Sequence, residues 1–434
     1  QQIWQSNLSH FSACSRQYFH EDTDLKNTNN NRLIYTSALL AATLSFGQAA
    51  QAEDLILGGN RVVSTDTSVD GVMLGYGIDG NLTITSGATL SSIYGDIGYS
   101  EESSTGTAVV SGANSHWQNQ YGVQVGFRGN GTLNIENGGK VTSNSISSVG
   151  KESGSIGAAN VIGQDSLWQH SGDFRVGERG NGTLNIEEGG KVANTRGQIG
   201  YDSSSIGTVN VTGWGSVWEN SDDLTLGFNG GSGTLNISDG GKVTDASGFI
   251  GYESGSTGVV TVTGWGSSWE NSNGVSIGIA GTGTLNIENG GKVISDGGDI
   301  GFLTGSTGTV TVTGWDSSWE SSNGINIGGG GTGTLKIENG GMITSAHGRI
   351  DGLDGTVTVT GPGSSWQVED RRPEPWWADK GELYVGNFGT GTLNIENGGR
   401  VINDDTYIGN HFGSTGTVTV TGADSSWRGS VLYI

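Results

Sequence analysis

The chain has 434 residues, with 43 acidic against 20 basic side chains and a formal net charge of −23. A surface of that sign repels phosphate backbones and anionic lipid, so neither nucleic acid nor a membrane surface is an expected partner. With 81 glycines but 3 prolines and 1 cysteine, the chain is neither collagen-like nor a disulfide scaffold.

In chain order, residues 1–31 form a polar leader that does not begin with methionine. They are either an extended signal region or the product of a partial reading frame. Residues 32–52 carry the pattern of a secretory signal peptide: Arg32, an apolar core over 33–46, and Ala50-Gln51-Ala52 before Glu53. That core is too short to cross a membrane. Cleavage between Ala52 and Glu53 would place the mature chain outside the cytoplasm and remove Cys14, the single cysteine.

From residue 53 to 434 one phrase keeps returning. A weak copy surrounds Leu82, and full copies such as GTLNIENGG place Leu133, Leu184, Leu235, Leu285, Leu335 and Leu393 at spacings of 51, 51, 50, 50 and 58. Tryptophan keeps the same beat at Trp117, Trp168, Trp218, Trp269, Trp319, Trp366 and Trp427. Periods near 50 belong to solenoids, propellers or arrays. The unit then halves. Residues 233–257 and 258–282 are each 25 long and align Leu235 with Val260, Val243 with Trp269, and Ile250 with Ile277.

Within each half-unit the apolar residues alternate, which makes half-buried strands, and Gly-Gly or Asn-Gly pairs supply the corners. No stretch has helical spacing. The expectation is an all-β chain, a right-handed parallel β-helix (solenoid) of 25-residue coils in 50-residue double-coil repeats. Residues 53–434 would make about 15 coils, roughly 70 Å at about 4.8 Å per coil. A propeller with 50-residue blades is the rival, but four-stranded blades do not usually split into two similar halves. At the far end SSWRGSVLYI stops inside a half-unit and leaves an open edge, so a further C-terminal part is expected.

The phrases GTLNIENGG, STGTVTVTG and SSWENS, on this beat and behind a signal peptide, resemble the repeats shared by type V secretion (autotransporter) and PEP-CTERM surface proteins. The likeness runs over about residues 75–434. It is in particular to the passenger of a Gram-negative autotransporter. That resemblance implies a non-catalytic β-helix at the cell surface, anchored through an outer-membrane β-barrel in the missing C-terminal part. It implies a role in adhesion, autoaggregation or biofilm, with host or bacterial surface glycans and proteins, or further copies of the chain, as partners. A sorting tail could replace the barrel. The alternative functions are a polysaccharide-cleaving β-helix enzyme and a passive surface or matrix component.

The sequence offers no catalytic, cofactor or metal residues. Glu136, Glu187, Glu288, Glu338 and Glu396 recur on every second coil, about 10 Å apart, too far to share a metal or to divide acid and base roles. His116, His170, His347 and His411 keep no ligand spacing. Nucleophile elbows and phosphate loops are missing. The Trp117–Trp427 column reads as a structural ladder whose rings cover apolar surface at a coil corner.

Two features read as binding surfaces. Trp214, Trp265 and Trp315 share a phase at which other units carry Ala113, Gln164, Pro362 and Ala423. A position that varies so widely is not demanded by the core, so these indoles are expected to be exposed. About 10 Å apart in line, they would form a platform for sugar rings; scattered surface apolar residues are the plain alternative. The second feature is an insertion. The step from Trp366 to Val385 is 19 residues where 8 is usual, and the added residues 369–380 hold two of the three prolines and Arg371, Arg372, Trp376 and Trp377. Insertions in solenoids tend to be binding loops, although the paired indoles could instead fold back over the coil.

Overall fold

Each half-unit folds into three short strands joined by tight turns. A computed structural model describes residues 55–100, 104–369 and 381–434, with side chains from Gly58 onward. The leader, the signal peptide with Ala52 and Glu53, and the inserted Arg371, Arg372, Trp376 and Trp377 lie outside the described residues. There is no helix among the described residues, hence none long and apolar enough to cross a membrane.

In residues 232–250 the three strands are Ser232–Ser238, Lys242–Asp245 and Gly248–Ile250. In the next coil they are Thr257–Thr263, Ser268–Asn271 and Gly274–Ile277. Every strand pairs in parallel with the strand three before it and the strand three after it. Among the described residues this generates three sheets of 15, 15 and 16 strands, a right-handed parallel β-helix. We call them sheets 1, 2 and 3 in the order a coil visits them, and name the corners after the sheets they join.

The expected alignment of half-units is the observed register: Leu235↔Val260↔Leu285 in sheet 1, Val243↔Trp269 in sheet 2 and Ile250↔Ile277 in sheet 3. Leu235, Val260 and Leu285 have no exposed surface, so they form one interior column. Each such side chain contributes roughly 1.5–3 kcal/mol of burial. The corners absorb the differences in length between half-units. Ile237 and Val243 are 6 residues apart, whereas Val262 and Trp269 are 7 apart, and the extra residue lies in the turn that carries Trp265.

At corner 3–1 the chain must reverse beside its neighbour. Gly251 adopts φ +68°, and a Cβ there would run into the carbonyl of Thr282, which opens the second coil on. Only glycine meets both demands.

The tryptophan column explains why the period is 50 and not 25. Trp117, Trp168, Trp218, Trp269, Trp319 and Trp366 are fully buried inside the coils, which corrects the expectation of rings laid over a corner. In sheet 2 they alternate with small residues: Trp218↔Val243↔Trp269↔Val293↔Trp319. Each ring is too large for its own coil and leans onto the coil below. There every ring but that of Trp168 lies over a glycine of sheet 3 (Gly95, Gly197, Gly248, Gly298 or Gly348) where a Cβ would come within 2.8 Å of the ring, while the Trp168 ring packs edge-on against Phe174. Except in Trp168, whose Nε1 has no partner, the indole N–H donates to a buried polar side chain on that same lower coil. The acceptors include Asn194 for Trp218 (2.7 Å), Asp245 for Trp269 (2.6 Å) and Ser295 for Trp319 (2.9 Å). A tryptophan coil therefore takes a glycine coil beneath it, except at Trp168, where Ser147 stands at the glycine's phase.

Candidate ligand-binding surfaces

Corner 1–2 carries the exposed indoles. Trp214, Trp265 and Trp315 are 63%, 74% and 70% exposed, as their variable phase predicts. Their arrangement differs from the expected even ladder. The ring of Trp214 lies over Gly240 and Gly266 of the two coils above, leaving neither glycine room for a Cβ. This brings it to 5.4 Å from Trp265, at an interplanar angle of 56°, well short of the 10 Å that coil spacing suggested. Trp315 lies in the same way over Gly340 and Gly363. At the corresponding place above Trp265 stands Asp316 in place of glycine, and Trp265 is the most exposed of the three. The column is thus a pair of rings plus a separate third.

Lower on the same corner, where Ala113 and Gln164 replace tryptophan, there is a cavity of about 420 Å³. Asn114, Asn137, Lys140, Gln164, Asp165 and Lys191 line it. Sequence reasoning had noted these two phases only as exceptions to the tryptophan column.

Corner 2–3 carries the insertion. The sheet 2 strand Ser365–Val368 ends just before Glu369, whose N–H donates to Ser345 O at 2.9 Å. Gly381 re-enters with its N–H on Asp404 Oδ2 at 3.1 Å, and Leu383–Val385 continues in sheet 3. A groove of about 510 Å³ opens on this corner, and Asp296, Asp299, Asn326, Arg349, Glu382 and Tyr384 are among its lining. Asn326 donates to Asp299 (2.8 Å) and Tyr384 Oη to Glu382 (2.7 Å). Burial raises the Asp299 carboxyl above the usual range, against that hydrogen bond. Sheet 2 separates the two ends of the insertion, Glu369 and Gly381, from the exposed indoles.

Among the described residues no group of three His, Cys, Asp or Glu side chains could hold a metal. Glu136, Glu187, Glu288, Glu338 and Glu396 close sheet 1 strands, half-buried and facing outward, and Glu338 pairs with Lys336 at 2.6 Å. His116 donates to or accepts from Thr142 at 2.8 Å. His170 is inside, stacked on Trp168 at 5.1 Å and tilted against Phe174 at 4.4 Å, and burial pushes it down to about 3. Sequence reasoning missed this histidine and the interior carboxyl of Asp245. Both stand two residues after a Trp or Val of sheet 2, and that fixed offset was the available signal. It also missed the surface aromatic stacks, such as Tyr384–Tyr407–Tyr433 at 4.7 Å steps.

The sequence matches no family model. It is 31% identical over 330 residues to the uncharacterized lipoprotein YdeK of Escherichia coli (strain K12), taking in 60% of this chain and 24% of that protein. The chain thus spans about a quarter of the length of the relative it matches. Among solved structures, a TibC-catalyzed hyper-glycosylated TibA fragment aligns with 88% of this chain and 95% of its own, at a TM-score of 0.44 and 15% identity.

Proposed function

We propose that the chain is a non-enzymatic passenger displayed at a bacterial surface, where it mediates adhesion or self-association. The observation that carries this reading is the contrast between the outer faces of the sheets. Sheet 1 repeats threonine and asparagine outward, with a ladder of amide hydrogen bonds from Asn134 through Asn160, Asn185 and Asn210 to Asn236 at 2.8–2.9 Å. The outward position of sheet 3 instead takes Asp96, Gln124, Arg175, Phe249, Asp299 and Arg349 along one register. The interior ladders already specify the fold, so a face that does not repeat is free to be shaped by a partner. The exposed indole pair and the insertion add amphipathic anchors of the kind that dominate interfaces. The likeness to a lipoprotein fits a membrane-attached surface address, and an outer-membrane β-barrel in a further C-terminal part would serve the same end.

The test is sedimentation and cell binding by the purified chain. Trp214→Ala/Trp265→Ala and Trp376→Ala/Trp377→Ala should each leave melting within a few degrees of the parent, and at least one should weaken association about tenfold, or about 1.4 kcal/mol. Unchanged association in both would remove the contact surfaces. Turnover of a polysaccharide by the chain would overturn the non-enzymatic reading.

A further inference from the structure

We propose that the cavity at corner 1–2 between Ala113 and Lys191 is a binding site for an acidic glycan, with Lys140 and Lys191 taking the sugar carboxylates. The site gives the adhesive reading a ligand class, and rests on that reading only for its biological setting.

The repeats themselves supply the comparison. Where the same phase recurs higher in the solenoid, a lysine on one coil is neutralised by a glutamate on the coil above: Lys242–Glu270 and Lys292–Glu320, both at 2.7 Å. The register behind the first pair aligns Thr244 with Glu270. The equivalent register around Lys140 aligns Thr142 with Gln169. A glutamine thus stands where the counter-ion would be, and Lys140 forms no ion pair among the described residues. Lys191 forms none there either, although Glu219 stands on the coil above it at the phase of Glu270.

Both lysines line one cavity of about 420 Å³, in the size range of small-ligand sites. Asp165 is the sole carboxylate in that lining, against two ammonium groups. A locally cationic cavity in a chain of net charge −23 selects anions by short-range contact, since the distant field opposes them. Asn114, Asn137 and Gln164 surround the lysines with amides. Amides both donate and accept, which suits hydroxyl groups better than a bare inorganic anion.

The cavity lies on the same corner as the tryptophan strip, below it. Gln164 and Trp214 occupy the same phase two coils apart, about 10 Å. A sugar chain lying along the corner would place carboxylates on the lysines by charge-assisted hydrogen bonds and apolar ring faces against the indoles. A nucleic acid would require a long run of cations, and this cavity has two.

The experiment is calorimetric titration of the purified chain with a galacturonate tetramer, a galactose tetramer and tetra-glutamate. Binding of the galacturonate tetramer alone, weakening as salt rises, is expected. Lys140→Ala/Lys191→Ala should weaken it about tenfold or more. The sharper variant is Gln169→Glu, which installs the residue found at this phase in Glu219, Glu270 and Glu320. It should keep the parent melting temperature and lose binding to the same degree. Parent-like binding by Gln169→Glu would overturn the lysine assignment. Equal binding of the galactose tetramer would remove the role of charge, and equal binding of tetra-glutamate would make this an acidic-peptide site. Loss of cell adhesion in the parent, with galacturonate binding intact, would sink the adhesive reading and leave this site standing.

Discussion

Single buried groups decide how this solenoid responds to pH. Asp245 is inside the coil, 6% exposed, with Oδ2 accepting from Trp269 and Oδ1 without a partner. Burial raises its carboxyl from 3.8 to about 8, against the Trp269 hydrogen bond and with a smaller push from Asp223. Between those values the folded chain holds a proton that the unfolded chain has released, so stability falls as pH rises from about 4 to about 8. Asn194, Asn220 and Asn271 occupy the same phase, so Asp245→Asn keeps the acceptor for Trp269 without the charge. The variant should match the parent near pH 4 and exceed it at pH 8 by more than about 1.4 kcal/mol, the worth of one pKa unit; denaturant melts at both pH values check this. His170 works in the opposite direction. Its folded value of about 3 lies below the ordinary 6.5, so its contribution is lost as pH falls through that interval. The interior columns give a second contrast. Leu285→Asp would bury a charge with no partner and cost several kcal/mol. Asn286→Asp, facing out from the same strand, should cost little, and equal thermal shifts would refute the assignment of the two faces.

At the scale of the strand and coil, the unit that matters is the pair formed by a tryptophan and the glycine beneath it. Gly248 of sheet 3 faces the ring of Trp269 from the coil below. Gly248→Ala should be destabilising by about 1–3 kcal/mol, the usual cost of overpacking. Trp269→Phe alone leaves a gap and loses the bond to Asp245, so it is destabilising too. Because the smaller ring releases the space that alanine needs, the double variant should cost less than the sum of the two, with a coupling of about 1 kcal/mol. Additive costs would mean the two residues do not share space. This pairing was half legible in the sequence. The alternation of Leu235, Ile237, Val260 and Val262 gave the strands and their faces, since period-2 burial needs only local spacing. That the tryptophans point inward was not legible, because a 50-residue beat fits a corner ladder or a core ladder equally well. What distinguishes them is a glycine 21 residues earlier, at Gly248 for Trp269, a contact that exists only after coiling. The exposed indoles were readable from Ala113, Gln164 and Pro362 at their phase. Their tilt was not, since it depends on which coil above supplies a bare glycine.

The solenoid as a whole alternates two kinds of coil, and this sets how it can be cut. Sheet 2 reads Trp, Val, Trp, Val from Trp117 to Val401, with Ile343 in one place. Each coil contacts chiefly its neighbours, so stability should be close to a sum of coil and interface contributions. Removing residues 233–282 takes out one glycine coil and one tryptophan coil. It joins the Trp218 coil to the Val293 coil, an interface of the same kind as the native Trp218–Val243 contact. The shortened chain should fold with a cooperative melt only a few degrees lower. Removing residues 233–257 deletes the same kind of ladder but half the length, and a count of hydrogen bonds would predict the smaller loss. Packing predicts the reverse. The Trp269 ring would then descend onto the Trp218 coil, where Leu224 replaces Gly248 at the receiving position, and two large residues would compete for one space. Thermal melts of the two deletions decide the matter: the 25-residue deletion should unfold at the lower temperature. If it melts higher than the 50-residue deletion, the coils are interchangeable and the two-coil period has no packing origin.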